Sequence, residues 1–335
     1  MVEKKASITD VARKANVSIT TVSRVLNKVP TVNKDIVQRV EKVIGELKFR
    51  PNPTAQRLAR GQQNTAIGFV IPGYPGIFHS FYAVELMRGI GHGCETLRLD
   101  LIFHITDGSN PLRSNYAAGL IFADIIENQP QVETAVHEGT PCLVINHIVK
   151  DLEVSYIAVD NVKGGYTAAE YLINLGHKRI ATVTGNMQTQ AGIDRFEGYQ
   201  KALKKHGIDC PPDYIYKGDY SRRSARQAAD RFFSLENPPT AIFAASDEMA
   251  LEIISVAMEN GIKVPDDISI IGFDDNPAGL FGPVSLTTIK QPLFLMGEEA
   301  TKVIYDIMTG KQAGLVHKIL SPDLIIRESC AQPSS

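Results

Sequence analysis

From Thr65 onward, short continuous apolar runs alternate with stretches of helical pattern, and this alternation narrows the fold more than any other feature. The runs are AIGFVI (66–71), LDLIFHI (99–105), AGLIFADI (118–125), PCLVIN (141–146), KRIATVT (178–184), TAIFAAS (240–246) and DISIIGF (267–273). A strand that is apolar throughout is buried on both faces. Strands of that kind, separated by helices such as Tyr166 to Leu175 and Asp247 to Asn260, form parallel sheets covered on both sides. Gly176, Gly207 and Gly261 stand where helices end. Roughly 270 residues of this pattern exceed one open sheet, so two doubly wound lobes are expected. Ligands in such folds bind beyond the carboxyl ends of the strands, here facing each other across a cleft.

Ahead of this body, residues 8–27 read ITDVARKANVSITTVSRVLN. Ile8, Val11, Ala12 and Ala15 form one stripe of a short amphipathic helix, with Ser7 or Thr9 able to cap it. Asn16 tolerates the left-handed backbone of a tight turn, Val17 plugs the gap, and Ser18 caps a second helix whose buried face is Val22, Val25 and Leu26. The opposite face carries Ile19, Thr20, Ser23, Arg24 and Asn27. Two helices on a short turn, the second exposing hydroxyls and an arginine, is the helix-turn-helix arrangement that enters a DNA major groove. An ordinary helical hairpin shares the periodicity. Charge weighs against that reading: residues 1–61 hold thirteen Lys or Arg against five Asp or Glu, leaving 22 against 32 in the rest, although the whole chain nets only −2. A basic head on an acidic body fits a DNA-binding module joined to something else.

Asn33 is placed to cap a third helix, with Ile36, Val37, Val40, Val43, Ile44 and Leu47 at helical spacing and Lys34, Arg39, Lys42 and Lys48 toward solvent. Between Arg50 and Asn64, Pro51 ends the preceding structure, Asn52 is a good cap, Pro53 suits the first helical position and Gly61 the position past the end. These frame about eight helical residues with only Ala55, Leu58 and Ala59 to bury, so a helix here is marginal alone and a plain linker fits the same letters.

Asp10, Val11 and Ala12, with the ungapped run Val17 to Asn27, resemble the LacI/GalR (lactose-repressor) family of bacterial transcriptional regulators. The resemblance continues through LGHKRIA (175–181), RFEGYQKAL (195–203), PPTAIFAASDEMALE (238–252), VPDDISIIGFDD (264–275) and LTTIKQP (286–292). It implies an all-α helix-turn-helix head (1–50), a hinge helix and linker (51–64) and an α/β body (65–330) similar to periplasmic sugar-binding proteins. In the body, lobe 1 takes about 65–159 and 288–319, and lobe 2 about 160–287 and 320–330, the chain crossing near 160, 288 and 320. It further implies a homodimer on a palindromic double-stranded operator, with Ile19, Thr20 and Arg24 at base edges and Ser18, Thr21 and Ser23 at phosphates, Asn27 lying on the same face. The hinge, with Asn52, Ala55 and Leu58, then lies in the minor groove, Leu58 wedging a central step that in this family is typically CpG.

For the effector, a small polar metabolite such as a carbohydrate, the resemblance implies Asn146, Arg195, Tyr220, Ser246 and Asp274. Each has a plainer reading: a surface ion pair for Arg195, a turn for Asp274, half-buried packing for Tyr220. Relatives often carry asparagine where Ser246 stands. The family's Asn-Pro-Phe-Phe is replaced by His79, Ser80, Phe81 and Tyr82; Phe81 suits core packing, whereas Tyr82 and His79 can reach the cleft. Between strands 99–105 and 118–125 the family has a full helix, but TDGSNPLRSNYA leaves about one turn. Either most of a crossover is missing or the sheet order differs locally.

No catalytic or metal-binding constellation and no cofactor motif is present in the sequence. The pairs Asp266–Asp267 and Asp274–Asp275 read as turn caps and solvated faces. Cys94, Cys142, Cys210 and Cys330 are scattered and read as buried thiols. The polar start MVEKKASITD and the lack of a membrane span point to the cytoplasm, with the nucleoid as the place of the DNA-bound form. A dimer is expected, since no leucine-heptad tail follows Arg327. Two other readings remain open on sequence: co-repression by a protein partner, and a solute-binding sensor without a DNA role.

Overall fold

The computed structural model describes residues 8–26, 32–47, 65–73, 77–108, 110–112, 117–126 and 128–334. Contacts divide it into a head and a body. In the head, α1 (Ile8–Ala15), α2 (Ile19–Leu26) and α3 (Lys34–Glu46) surround Val11, Ala12, Ala15, Val22, Val25, Val40 and Val43, all buried. Asn16 takes a left-handed φ of 51°. The Asn16 and Val17 amides then return to the Arg13 and Ala12 carbonyls at 3.3 and 3.0 Å, closing α1 with the paired bonds of a Schellman turn. Ser18 Oγ accepts from the Thr21 amide at 3.0 Å and Asn33 Oδ1 from the Asp35 amide at 2.9 Å, capping α2 and α3. Lys14 and Glu46 pair at 2.9 Å across α1 and α3. Asn27 and the expected hinge, with Asn52, Ala55 and Leu58, lie outside the described residues.

The body holds two six-stranded sheets. One contains β1 (Ala66–Pro72), β2 (Asp100–Thr106), β3 (Gly119–Ala123), β4 (Cys142–Ile145), β5 (Ser155–Val159) and β11 (His317–Leu320) in the order β11-β5-β4-β3-β1-β2, all parallel. The other contains β6 (Ile180–Val183), β7 (Ile215–Tyr216), β8 (Ala241–Ala244), β9 (Ser269–Asp274), β10 (Thr287–Lys290) and β12 (Asp323–Ile325) in the order β12-β10-β9-β8-β6-β7, with β12 alone antiparallel. Helices cover them: α4 (Phe81–Leu97), α5 (Gln129–His137) and α10 (Leu293–Met308) in lobe 1; α6 (Asn161–Asn174), α7 (Gln190–Lys205), α8 (Arg222–Phe233) and α9 (Asp247–Glu259) in lobe 2. The first core joins Ile67, Phe69 and Ile71 to Leu86 and Ile90 of α4 and Met296 and Ile304 of α10. In the second lobe one cluster lies under α8 and α9 and another under α6 and α7.

The chain passes between lobes three times: after β5, after β10 and between β11 and β12. The middle passage comes later than residue 288, because Thr287–Lys290 still pairs with β9. Of the two explanations for the short 107–118 segment, the sheet order β2-β1-β3 leaves the missing crossover: no helix occurs among its described residues. Gln131 of α5 closes the gap, its amide donating to Thr106 Oγ1 at 2.7 Å and to the Asn110 carbonyl at 2.6 Å.

Candidate functional site

On the head, burial of Val22 and Val25 fixes which side of α2 faces outward. That side presents Ile19, Thr20 and Arg24 to solvent, and Ile19 is 48% exposed although it is aliphatic. Arg24 makes no ion pair among the described residues. Ser18 and Thr21 hydroxyls lie 2.8 Å apart at the amino end of α2, and Ser23 is half-buried. A short helix with two hydroxyls at its amino end, an exposed aliphatic and an uncommitted guanidinium suits base edges flanked by phosphates.

In the body, polar residues gather where strands end. Asp124 follows β3, Asn146 follows β4, Asp274 closes β9 and Gln291 follows β10. Of the seven non-glycine residues with positive φ among the described residues, five sit in this region: Asp124, Asn146, Tyr220, Asp274 and Asp275, at 53°, 58°, 68°, 132° and 61°. Backbone strain of this kind persists where the surroundings hold it, often at binding sites.

Arg195 lies in α7, which begins at Gln190. Only 4% exposed, it stacks at 3.8 Å on Phe273, donates from Nε to Asn161 Oδ1 at 2.8 Å and from Nη1 to the Ala245 carbonyl at 2.7 Å, and lies 3.8 Å from Asp274. It is therefore an internal strut of the cleft and not a surface ion pair. Its guanidinium also stands 5.9 Å from the Tyr220 ring, which fills the space over Gly185.

Asp274 accepts from the Gln291 amide at 2.6 Å, and Asp124 accepts from the Asn146 amide at 3.0 Å. Burial pushes the Asp124 carboxyl up to about 6, opposed by hydrogen bonds from Tyr82 and Asn146 and by the charge of Arg195. Burial also raises Asp274, against Arg195, and raises Asp247, where the charge of Asp274 adds to the effect. Arg195 of lobe 2 acting on Asp124 of lobe 1 means that the two strand-end clusters face each other. The Ile148 amide donates to Gln190 Oε1 at 2.6 Å, a direct bond between lobes.

Of the residues expected at the effector site, Asn146, Arg195, Tyr220, Asp274 and Tyr82 come together here. Ser246 lies beside them, but its hydroxyl caps α9, accepting from the Met249 amide at 3.3 Å. His79 is exposed and Phe81 packs on the first core. Sequence reasoning missed Asp124, Gln291 and Asn161. An acid directly after a buried strand was the available signal for Asp124, the same signal that marked Asp274. The Asp274–Asp275 pair is not a solvated turn: Asp274 faces Arg195, and Asp275 bonds Arg327 at 2.5 Å. Asp267 does cap a turn, accepting from the Lys263 amide at 2.8 Å. The four thiols are free, and burial raises all four, Cys94 and Cys142 to about 11 and Cys330 to about 12. Among the described residues no group of acids, histidines and cysteines could hold a metal ion, and no helix is long and apolar enough to cross a membrane.

Comparison with known proteins agrees with both halves. Residues 7–52 match the family model described as bacterial regulatory proteins, lacI family, and residues 169–330 match that of the periplasmic binding protein-like domain. The HTH-type transcriptional repressor CytR of Escherichia coli (strain K12) is 34% identical over 98% of this chain and 97% of its own. Among solved structures, a complex of the transcriptional regulator CelR with cellobiose has a TM-score of 0.73 at 27% identity, covering 97% of this chain and 99% of that one. The lac repressor dimer bound to operator and the anti-inducer ONPF has a TM-score of 0.72 at 26% identity, covering 98% and 100%.

Proposed function

The chain belongs to the lacI family of bacterial regulatory proteins, and from that premise we propose that it works as a cytoplasmic homodimeric repressor, gripping a palindromic operator through two heads and controlled by a small carbohydrate-like effector held between its lobes. It is a DNA-binding transcriptional regulator. The observation that carries the DNA half of the reading is the outward face of α2, where Ile19, Thr20 and Arg24 stand exposed over a buried Val22 and Val25. In this reading Arg24 takes a guanine edge with its planar fork of donors, and Ile19 and the Thr20 methyl take thymine methyls. Ser18, Thr21 and Ser23 contact phosphates and fix the register. Asn27, Asn52, Ala55 and Leu58 extend the interface toward the minor groove, with Leu58 as the wedge at the operator centre.

The effector half rests on the strand-end cluster. Asp274, Arg195, Asn146 and Tyr82 supply polar atoms for hydroxyl groups, and the Tyr220 ring offers an apolar face. CelR is a relative seen with cellobiose, and the lac repressor is one seen as a dimer on its operator with a small anti-inducer. Those precedents favour a sugar-like ligand and two-fold symmetry for this chain also.

The test is selection of operators from a randomised DNA pool by the full chain. A palindrome is the expected product. Arg24→Ala is expected to weaken the selected site by about 1 to 3 kcal/mol and to relax one position in each half-site. Unchanged selectivity of the variant would remove Arg24 from the base contacts, and a pool that yields no palindrome would sink the dimeric reading.

A further inference from the structure

The two halves of the cleft are built alike but not charged alike. Each lobe ends two neighbouring strands in a carboxylate and a carboxamide, and the amide nitrogen donates to the carboxylate: Asn146 to Asp124 in lobe 1, Gln291 to Asp274 in lobe 2. This orientation leaves an amide oxygen on each side. Asn146 is 5% exposed and Gln291 4%, and neither Asn146 Oδ1 nor Gln291 Oε1 has a hydrogen-bond partner among the described residues. A buried acceptor that has lost water and gained no donor is costly, and a ligand donor relieves it. These two oxygens therefore ask for donors on a ligand.

The charges then separate the lobes. Asp274 has a cation beside it, the Arg195 guanidinium at 3.8 Å. Asp124 has the Asn146 amide and the Tyr82 hydroxyl for neighbours and makes no ion pair among the described residues. Arg195 acts on Asp124 as well, but it forms its ion pair with Asp274, so one guanidinium serves two carboxylates. Asp124 nevertheless keeps part of its surface exposed. A half-open carboxylate that shares its one cation with a second acid and has no ion pair of its own is a cation seat.

Resting on the reading of this cleft as the effector site, we propose that the effector is a hydroxylated amine, its ammonium group seated on Asp124 and Asn146 Oδ1 and its hydroxyls donated to Asp274 and Gln291 Oε1. Anionic esters and carboxylates are disfavoured, because they bring negative charge to a cleft already rich in carboxylates. Neutral polyols satisfy the acceptors but leave two carboxylates to share one guanidinium.

The experiment titrates the full chain with matched probes: D-glucosamine, D-galactosamine and D-mannosamine, each beside its parent hexose, its N-acetyl derivative and its 6-phosphate. Dissociation constants come from calorimetry. At least one hexosamine is expected to bind about ten-fold or more tightly than its parent and its N-acetyl form, and Asp124→Asn is expected to bring that ratio to about one. A parent hexose that binds as well as its amine, a preference that survives Asp124→Asn, or a panel with no binding amine overturns the proposal. Operator selection on the same preparation separates the two levels. A palindrome recovered without amine preference sinks this inference alone, and the absence of any selected operator sinks the regulatory reading beneath it.

Discussion

Burial of Asp124 works against its ionised form. Its carboxyl is held near 6, above the ordinary 3.8, chiefly by burial. A folded-state value above the unfolded one means that the native protein holds this proton more tightly. The cost of ionisation is absent below pH 3.8, grows between 3.8 and 6, and is fully present above 6. Asp124→Asn removes the titration while keeping the side-chain shape and an oxygen for the Asn146 amide. Relative to the parent, the variant is therefore expected to gain stability as pH rises from 4 to 8, by an amount on the order of 2 kcal/mol. Urea unfolding of both proteins at pH 4.5 and pH 8 measures this, and a difference that does not change with pH would show that Asp124 is not strained by burial. In the sequence Asp124 is the one polar letter of the run AGLIFADI, and nothing there marks it as part of a site. What gives it chemistry is Asn146, Tyr82 and Arg195, which strand order and lobe closure bring to it and which no local spacing signals. Asp274 sits in an equivalent place and was singled out through its resemblance to a known motif, while its partner Gln291 lay within the run LTTIKQP without any mark of its own.

Helix pairs that cross on glycine set how accurately those residues are held. A Cβ on Gly165 of α6 would lie 2.0 Å from the Arg195 carbonyl oxygen, and one on Gly198 of α7 would lie 2.1 Å from that of Val162. In lobe 1 the same arrangement joins α4 and α10, where a Cβ on Gly89 would lie 2.1 Å from the Phe294 carbonyl oxygen. Backbone this close cannot give way as a flexible side chain would. Gly198→Ala is expected to push α7 off α6, costing about 1 to 3 kcal/mol, and to lift Arg195 from Phe273 and Asp274. Gly89→Ala is expected to cost a similar amount while leaving Arg195 in place. Unfolding and effector titration of both variants test this: equal losses of effector affinity would mean that the α6–α7 contact does not position Arg195. At this scale the sequence was readable where periodicity is long. Val11, Ala12 and Ala15 are buried as their spacing required, and Gly176, Gly207 and Gly261 take φ of 102°, 64° and 72° at the helix ends where they were expected. It was unreadable where elements are short and polar. The TTIK of β10 and the HKIL of β11 carry no apolar run, and they are strands only because a neighbouring strand offers its edge. The glycine crossings were equally silent, since a glycine in a helix looks like a weakness until the partner helix is known.

At the scale of the whole chain, head and body are separate units with separate cores, so control of one by the other is a matter of coupling free energy and not of shared packing. The body joins its lobes at several places. Ile148 of lobe 1 bonds Gln190 at the start of α7, Asp124 faces Arg195, and three chain passages join the lobes. A ligand that bonds both lobes favours the arrangement in which they are close, and it shifts the population by no more than its differential affinity for that arrangement. If effector binding changes operator affinity by some factor, saturating operator must change effector affinity by the same factor, typically about 5 to 150. Titrating effector into the free protein and into its operator complex gives one value, and titrating operator with and without effector gives the other. Equality is expected. Arg24→Ala supplies the control: its change lies in the head, so effector binding to the free variant is expected to match the parent even though its specific DNA binding is weakened. Unequal factors would mean that the two ligands do not act on a common equilibrium, and a changed effector affinity in the free variant would mean that the head contributes directly to the cleft's energetics.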